Sequence, residues 1–300
     1  MEEKIQTKKL RTKISEFHDR HYKTLLLIPL ILIVLSVVYV GVFYSQHGDF
    51  MYKDISLTGG TAITIYSAID SSQIQNDLSS ELEDLNTREI YNLVTQKQEA
   101  IIIETSSDGD FTRQVLEDYL GYSLDDSNSS FEFTGSSLSE SFYKQLLIAI
   151  LIAFIFMAIV VFILFRILVP SAAVIISAFA DIFMTLVLVN IFEIKMSTAG
   201  IVAFLMLIGY SVDTDILLTT RMLKRHVGSL NFRMWGAFTT GITMTLTSLF
   251  AVLVALFIVK SFSVVLTQIF TILVIGLSFD IINTWITNAS LLKWYVLSKK

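Results

Sequence analysis

Six runs of apolar residues, each long enough to cross a bilayer, constrain this chain more than any other feature. A helix rises 1.5 Å per residue, so about 20 residues span the hydrocarbon. The runs lie at 24–44, 145–165, 170–192, 198–220, 236–259 and 264–286. Of the 300 residues, 53% are hydrophobic and 16% charged, whereas a soluble domain carries about 25% charged residues. The sequence therefore predicts an α-helical polytopic membrane protein with six transmembrane helices. It contains no cysteine, which excludes a disulfide framework, a thiolate metal site and a cysteine nucleophile. The first run follows Lys13, Arg20 and Lys23, as a signal peptide would. It exceeds a signal h-region and no A-x-A-like site follows, so it reads as an uncleaved anchor.

Lysine and arginine placement gives the expected orientation. Seven precede the first run (Lys4 to Lys23), and Arg166 follows the second. Arg221, Lys224, Arg225 and Arg233 follow the fourth, and Lys293, Lys299 and Lys300 close the chain. The opposite ends hold few outside the long segment, Lys195 and Lys260 and, at its edge, Lys144. The positive-inside rule then predicts a multi-pass protein of the cell membrane, with both termini cytoplasmic and the large loop extracytoplasmic. The expected organisation is a cytoplasmic segment 1–23, a first span 24–44, an extracytoplasmic α+β domain 45–143, a helical bundle 144–292 and a cytoplasmic tail 293–300.

The long segment carries 18 Asp or Glu against four Lys or Arg; such an excess most often marks a solvated face. "TAITIYS" reads as a strand, and "SSQIQNDLSSELEDL" as a helix with Ile74, Leu78, Leu82 and Leu85 on one face and Ser71 or Ser72 as cap. "REIYNLVT" and "EAIIIETS" alternate like a hairpin. "FTRQVLEDYLGY" predicts a second helix through Phe111, Val115, Tyr119 and Leu120, and "SFEFTG" a closing strand. The order β-α-β-β-α-β is the ferredoxin-like pattern.

Four acids interrupt the apolar runs: Asp181 in the third, Asp213 and Asp215 in the fourth, Asp280 in the sixth. An ionised Asp at a helix centre costs about 2.5–3.5 kcal/mol, so four facing lipid would cost on the order of 10 kcal/mol. No lysine or arginine lies within these three runs to pair with them. They must face a bundle interior, take a proton, or meet water or a partner. Residues two apart differ by about 200° in direction, so Asp213 and Asp215 face opposite sides of one helix. Asp215 shares its stripe with Ser211 and Thr219, and Asp213 with Gly209. The fifth run supplies hydroxyls, with Thr243 and Thr247 on one face, and the sixth adds Asn283, Thr284 and Asn288. A carboxyl group removed from water holds its proton more readily, as a reversible proton carrier requires. The residues point to ion or proton handling rather than to catalysis, with Asp181, Asp213, Asp215 and Asp280 as the relay.

At these residues the chain resembles a known family. "LIGYSVDTDILLTTRMLKR" is similar to the fourth-helix signature of the SecF family of protein-export membrane proteins, particularly its archaeal members. "DISLTGGT" resembles the element that opens that family's outer domain, through Asp54, Thr58, Gly59 and Gly60. "SAFADIFMTL" resembles its acid-bearing third helix and "GITMTLTSLFAVLVALF" its Thr-rich fifth. The resemblance covers 54–294. It implies one half of a resistance-nodulation-division (RND) fold that pairs with SecD, the Sec translocon channel and a translocating preprotein, in membrane lipid. The implied energy source is the proton gradient, with protons or sodium as the coupling ion and no cofactor or metal. In bacterial members the proton-linked acid follows an Asn; here the register reads Asp213-Thr214, as in SecD, which favours Asp213 as the principal carrier. Asp215 is additional to both patterns. Tyr210 and Ser211 belong to the signature as polar support, and Arg221 matches an arginine at the cytoplasmic end, where it reads as a positive-inside anchor or a charge switch. The glycine pair is expected to allow a tight backbone where the outer domain meets the first helix.

Three other classes compete. An intramembrane aspartyl protease needs a G-x-G-D element, which "GYSVDTD" does not match. An RND exporter of lipid or small molecules usually carries two halves in one chain. A passive translocon scaffold would use the acids only to cement a partner. No G-x-x-x-x-G-K-[ST] motif is present, so no nucleotide hydrolysis is expected, and nothing points to nucleic acid.

Overall fold

The computed structural model describes residues 16, 20–92, 94–224 and 228–299. The basic residues Lys4 to Lys13, Arg225 and Lys300 lie outside them. Among the described residues six helical spans are long and apolar enough to cross a membrane: Arg20–His47, Leu138–Phe165, Leu168–Ile191, Thr198–Leu223, Leu230–Val259 and Val264–Ser298. The chain is a multi-pass membrane protein. In chain order the elements are α1 (Leu27–His47), α2 (Ile55–Thr58), β1 (Gly60–Ile65), α3 (Ser71–Leu78), β2 (Asn86–Tyr91), β3 (Gln98–Thr105), α4 (Gly109–Leu120), β4 (Ser129–Thr134), α5 (Ser136–Phe165), α6 (Leu168–Ile191), α7 (Thr198–Leu223), α8 (Leu230–Val259) and α9 (Val264–Ile282). A π-helical turn (Asn283–Asn288) then joins α9 to α10 (Ala289–Ser298).

Most helices outrun their apolar stretches, because hydrophobicity marks only the part that needs lipid. The last span shows this best. Residues expected to form a tail from 293 continue α10 to Ser298, and Lys293 is buried with its ammonium 5.7 Å from the Tyr22 ring centre. Helices α6 and α7 are the most enclosed spans, while α1, α5 and α8 show most of their surface. One apolar core gathers Val40, Tyr143, Val189, Met196, Phe204 and Ile272 from five membrane helices and the α6–α7 connection. Another packs Leu218, Ala237, Trp285 and Leu292 between α7, α8 and the end of the last span.

Between α1 and α5 stands an α+β unit. Its four strands are antiparallel in the order β2-β3-β1-β4. Ile63, Ile65, Ile101 and Ile103 are fully buried against Ile74, Leu78 and Leu116 of α3 and α4. Each such side chain contributes about 1.5–3 kcal/mol by leaving water. Helix α3 is shorter than its periodicity predicts. It ends at Leu78, before Ser79 and Ser80, and Leu82 and Leu85 reach the same core from a turn. Its cap is Asp70, which accepts from the Ser72 amide at 2.8 Å, rather than either serine. In α4 the buried face is Thr112, Val115 and Leu116, whereas Phe111 is exposed.

The unit is tied to the bundle at several points. Asp54 caps α2, accepting from the Ser56 amide at 2.9 Å and its hydroxyl at 2.6 Å, and Ser56 Oγ accepts from the Thr198 amide at 3.0 Å, at the start of α7. The Asp54 amide donates to Met196 O at 3.0 Å. The Tyr91 amide donates to Ser261 O at 2.9 Å, fixing the β2 edge to the α8–α9 connection. The glycine pair sits at a joint with the second membrane helix rather than the first. Gly59 has φ +85°, and a Cβ there would lie 2.4 Å from Ser136 Cα; one on Gly60 would lie 2.4 Å from Thr105 O. The loop crosses the base of α5 and the end of β3, which leaves no room for a side chain.

Candidate functional site

Three of the four membrane acids meet inside the bundle. Asp181 from α6, Asp215 from α7 and Asp280 from α9 each have no exposed surface. Asp181 accepts from Ser211 Oγ at 2.5 Å and from Asn283 Nδ2 at 2.7 Å. Asp280 lies 3.1 Å from both Thr214 Oγ1 and Thr284 Oγ1, and 3.4 Å from Thr245 Oγ1. Asp215 Oδ1 accepts from Asn288 Nδ2 at 2.7 Å, while its Oδ2 has no hydrogen-bond partner among the described residues. Thr214 Oγ1 also lies 2.9 Å from Ser211 O. Ser211 and Thr214 therefore form a polar bridge between Asp181 and Asp280.

The π-helical turn positions half of this site. An α-helix sends residues four apart to one face, whereas the π turn widens the inward arc. Asn283, Thr284, Thr287 and Asn288 are all buried, two of them donating to acids on different helices. Such turns are frequent at functional sites. Nothing in the local sequence "NTWITN" announces the turn, since it forms in response to the acids it faces. Ser177, Thr185 and Thr219 add buried hydroxyls without partners among the described residues. The unbonded Asp215 Oδ2 can take up a proton, and these hydroxyls can rotate, without first breaking a hydrogen bond.

Asp213 stands apart. It is exposed, on the stripe of α7 that also exposes Val202, Met206, Gly209 and Tyr210. The two acids of "VDTD" thus part as their angular separation requires. Among the described residues Asp213 has neither a hydrogen-bond partner nor an ion-pair partner. Ser211 serves Asp181 rather than Asp215, and Asp215 relies on Asn288 rather than on Thr219. Thr243 and Thr247 do not reach the cluster. Both are exposed on α8 and donate to the carbonyls one turn back, at 2.7 and 2.6 Å. The α8 hydroxyl at the site is Thr245, about 200° from either. Arg221 donates to Gly236 O, linking the ends of α7 and α8, and meets no acid among the described residues.

The outer motif is polar and half-buried. Burial pushes the Asp54 carboxyl from its usual 3.8 up to about 6; Glu104 adds to the rise, while Ser56 and Arg88 oppose it. Thr58 Oγ1 donates back to Asp54 O at 3.1 Å. Among the described residues no group of three or more His, Cys, Asp or Glu side chains is arranged to hold a metal ion.

Residues 116–298 match the family model described as protein export membrane protein SecD/SecF, C-terminal. The protein-export membrane protein SecF of Methanocaldococcus jannaschii is 39% identical over 285 residues, covering 92% of this chain and 96% of that one. The SecF of Pyrococcus furiosus is 33% identical over 292 residues, covering 97% of each. The crystal structure of SecDF, a translocon-associated membrane protein from Thermus, superposes with a TM-score of 0.71 at 18% identity. That match takes in 92% of this chain but only 38% of the SecDF chain. Helix order, the acid-bearing α7 and these relatives agree: the chain belongs to the SecF family of protein-export membrane proteins.

Proposed function

We propose that this chain is an accessory, non-enzymatic subunit of the Sec protein-export machinery. It pairs with SecD, as half of an RND-type fold, and uses the transmembrane proton gradient to promote preprotein translocation beside the Sec channel. Both termini are cytoplasmic, and the α+β unit is a ferredoxin-like domain on the outer side. The observation that carries this reading is the exposed Asp213 on a membrane helix whose other acid is fully enclosed. Facing lipid, its carboxylate would cost about 2.5–3.5 kcal/mol. A protein partner that covers this stripe of α7 removes that cost and places a titratable group at the subunit boundary. Asp213 is then the principal proton carrier. The enclosed Asp181, Asp215 and Asp280 form the element that rearranges with it. Moving one charge through 100 mV supplies about 2.3 kcal/mol, enough to shift a two-state bundle by more than tenfold.

Sodium in place of protons is the natural variant, and replacing sodium in the medium separates the two. A passive scaffold has one observation in its favour: each buried acid already has a donor from a neighbouring helix, as interhelical glue would. Pairing is tested by purifying the chain from its native membrane and cross-linking from Asp213→Cys. A second six-helix chain in equal amount, cross-linked at that position, is expected. An active monomer or a pure homodimer would refute the pairing.

A further inference from the structure

Three basic side chains line one cleft between the α+β unit and the bundle. Its volume is about 440 Å³, within the range of about 300–1,000 Å³ that ligand sites occupy. Arg88 comes from β2, Lys195 from the α6–α7 connection and Lys260 from the α8–α9 connection. Only seven bases lie on this side of the bundle, the others being Lys53, Lys97, Arg113 and Lys144. Both bases of the two connections therefore converge on a single cleft, with one of the four from an otherwise acidic unit.

Their charges are available. Among the described residues neither lysine has an ion-pair partner, and the Lys260 ammonium stands 4.9 Å from the Phe257 ring centre. The connection that carries Lys195 is fixed, because buried Gln268 donates to Lys195 O and accepts from the Ser197 amide at 3.1 Å. Arg88 pairs with Glu104 at 3.5 Å, which holds a guanidinium that has further donors to offer. The lining also includes Glu89 and Glu193, so three bases face two acids. Glu89 is already engaged, accepting from the Ser71 amide at 3.0 Å and from the Tyr91 hydroxyl. Val264 of the lining opens α9, whose first amides add partial positive charge.

The mouth of the cleft is apolar. Phe192 and Val264 line it, and Phe257, Phe262 and Val265, their neighbours along the chain, are exposed. Two membrane spans end here, at Ile191 and Val259, and one begins, at Val264. The cleft therefore stands where hydrocarbon gives way to headgroups.

We propose that this cleft binds the phosphate diester of an anionic membrane lipid. Lys195 and Lys260 neutralise the phosphate, Arg88 donates to its oxygens, and the acyl chains lie along Phe192, Phe257 and Val265. Basic pockets between membrane helices hold lipid headgroups in this way, and a guanidinium suits phosphate geometry. A soluble phosphate ester offers the same oxygens; the apolar mouth favours the source that brings acyl chains. The bound lipid braces the α+β unit against the two connections that the Tyr91–Ser261 and Asp54–Met196 bonds already tie to it.

The test titrates the whole protein in detergent micelles with phosphatidylglycerol or phosphatidylcholine of identical acyl chains, and counts retained lipids by native mass spectrometry. The first phosphatidylglycerol should bind about tenfold tighter than phosphatidylcholine, or more. Each lysine replaced by glutamine should weaken it about fivefold, and Lys195→Gln with Lys260→Gln about 25-fold. Arginine at both positions should keep the affinity, and Lys97→Gln with Lys144→Gln, outside the cleft, should leave it unchanged. Lys260 is exposed, so Lys260→Gln decides the matter even if Lys195→Gln disturbs the fold. Equal affinity for the two lipids would overturn the proposal, as would equal losses in the two lysine pairs, which would reduce the effect to diffuse surface charge. Glycerol phosphate that displaced phosphatidylglycerol at comparable concentration would assign the cleft to soluble phosphate esters and overturn the lipid. Neither SecD nor an ion gradient enters this assay, so its failure leaves the export role untouched.

Discussion

Asn283→Leu tests the acid cluster through its donor rather than through an acid. Asn283 is fully buried; its Nδ2 donates to Asp181 at 2.7 Å and its Oδ1 accepts from Thr287 at 3.2 Å. Leucine has nearly the same shape, so the change is chiefly the loss of polarity. Leaving a buried acceptor without its donor costs about 1–3 kcal/mol. Hydrogen bonds between membrane helices average nearer 0.6 kcal/mol, up to about 1.7, and Thr287 can turn to a carbonyl one helical turn back. A net loss of about 1–2 kcal/mol follows. Asp181→Leu alone should cost at least as much by stranding both Asn283 and Ser211. The double variant should cost less than the sum, because Asp181 and Asn283 no longer strand each other, while Ser211 loses its acceptor whether or not Asn283 is present. The assay is reversible unfolding in mixed micelles as a double-mutant cycle. Strict additivity, or a stabilised Asn283→Leu, would show that the bond between α6 and the π turn does not hold the folded bundle together.

Other perturbations have equally definite outcomes. Gly59→Ala should abolish accumulation of folded protein, because its Cβ would meet main-chain atoms of Ser136 at 2.4 and 2.6 Å; Gly121→Ala, at φ +75° in open space, should cost only about 1 kcal/mol. Gly241→Ala would drive a Cβ to 2.4 Å from Trp285 Cζ2, destabilising α8 against the last span by about 1–3 kcal/mol, and Trp285→Leu should restore most of it. Asp54 has a folded-state pKa above its unfolded value, so the folded state binds the extra proton and stability falls as pH rises from about 4 to 6. The two-unit difference corresponds to at most about 3 kcal/mol, less for a half-buried group in contact with water. Asp54→Asn keeps the cap oxygen, and the protection factor of the Thr198 amide (its exchange relative to the intrinsic base-catalysed rate) should lose its dependence on pH across that window; an unchanged profile would refute the assignment.

Much of this architecture is legible in the sequence because the bilayer sets a length that six runs meet. The parting of Asp213 and Asp215 is legible too, since two residues on a helix fix an angle whatever surrounds them. The partners of the acids are another matter. Threonines occupy both faces of α8, so periodicity alone could not choose Thr245 over Thr243 and Thr247. The regular spacing of Ile74, Leu78, Leu82 and Leu85 reads as a helix, yet only burial was encoded, and a turn delivers the last two as well as a helix would. The π turn is set by tertiary hydrogen bonds from Asn283 and Asn288, which no local propensity records.

The most direct test of gradient coupling at the subunit boundary is SecD-paired export measured with and without an uncoupler. Asp213→Asn is nearly isosteric and mimics the protonated acid, so folding and pairing should survive while the gradient-dependent part of export disappears. Asn at 181 or 215 should weaken it less. Full gradient-dependent export from Asp213→Asn, together with its loss in Asp215→Asn, would move the carrier from the boundary into the enclosed cluster. Full export from Asn variants at all four acids would leave the cluster a structural joint and contradict the account.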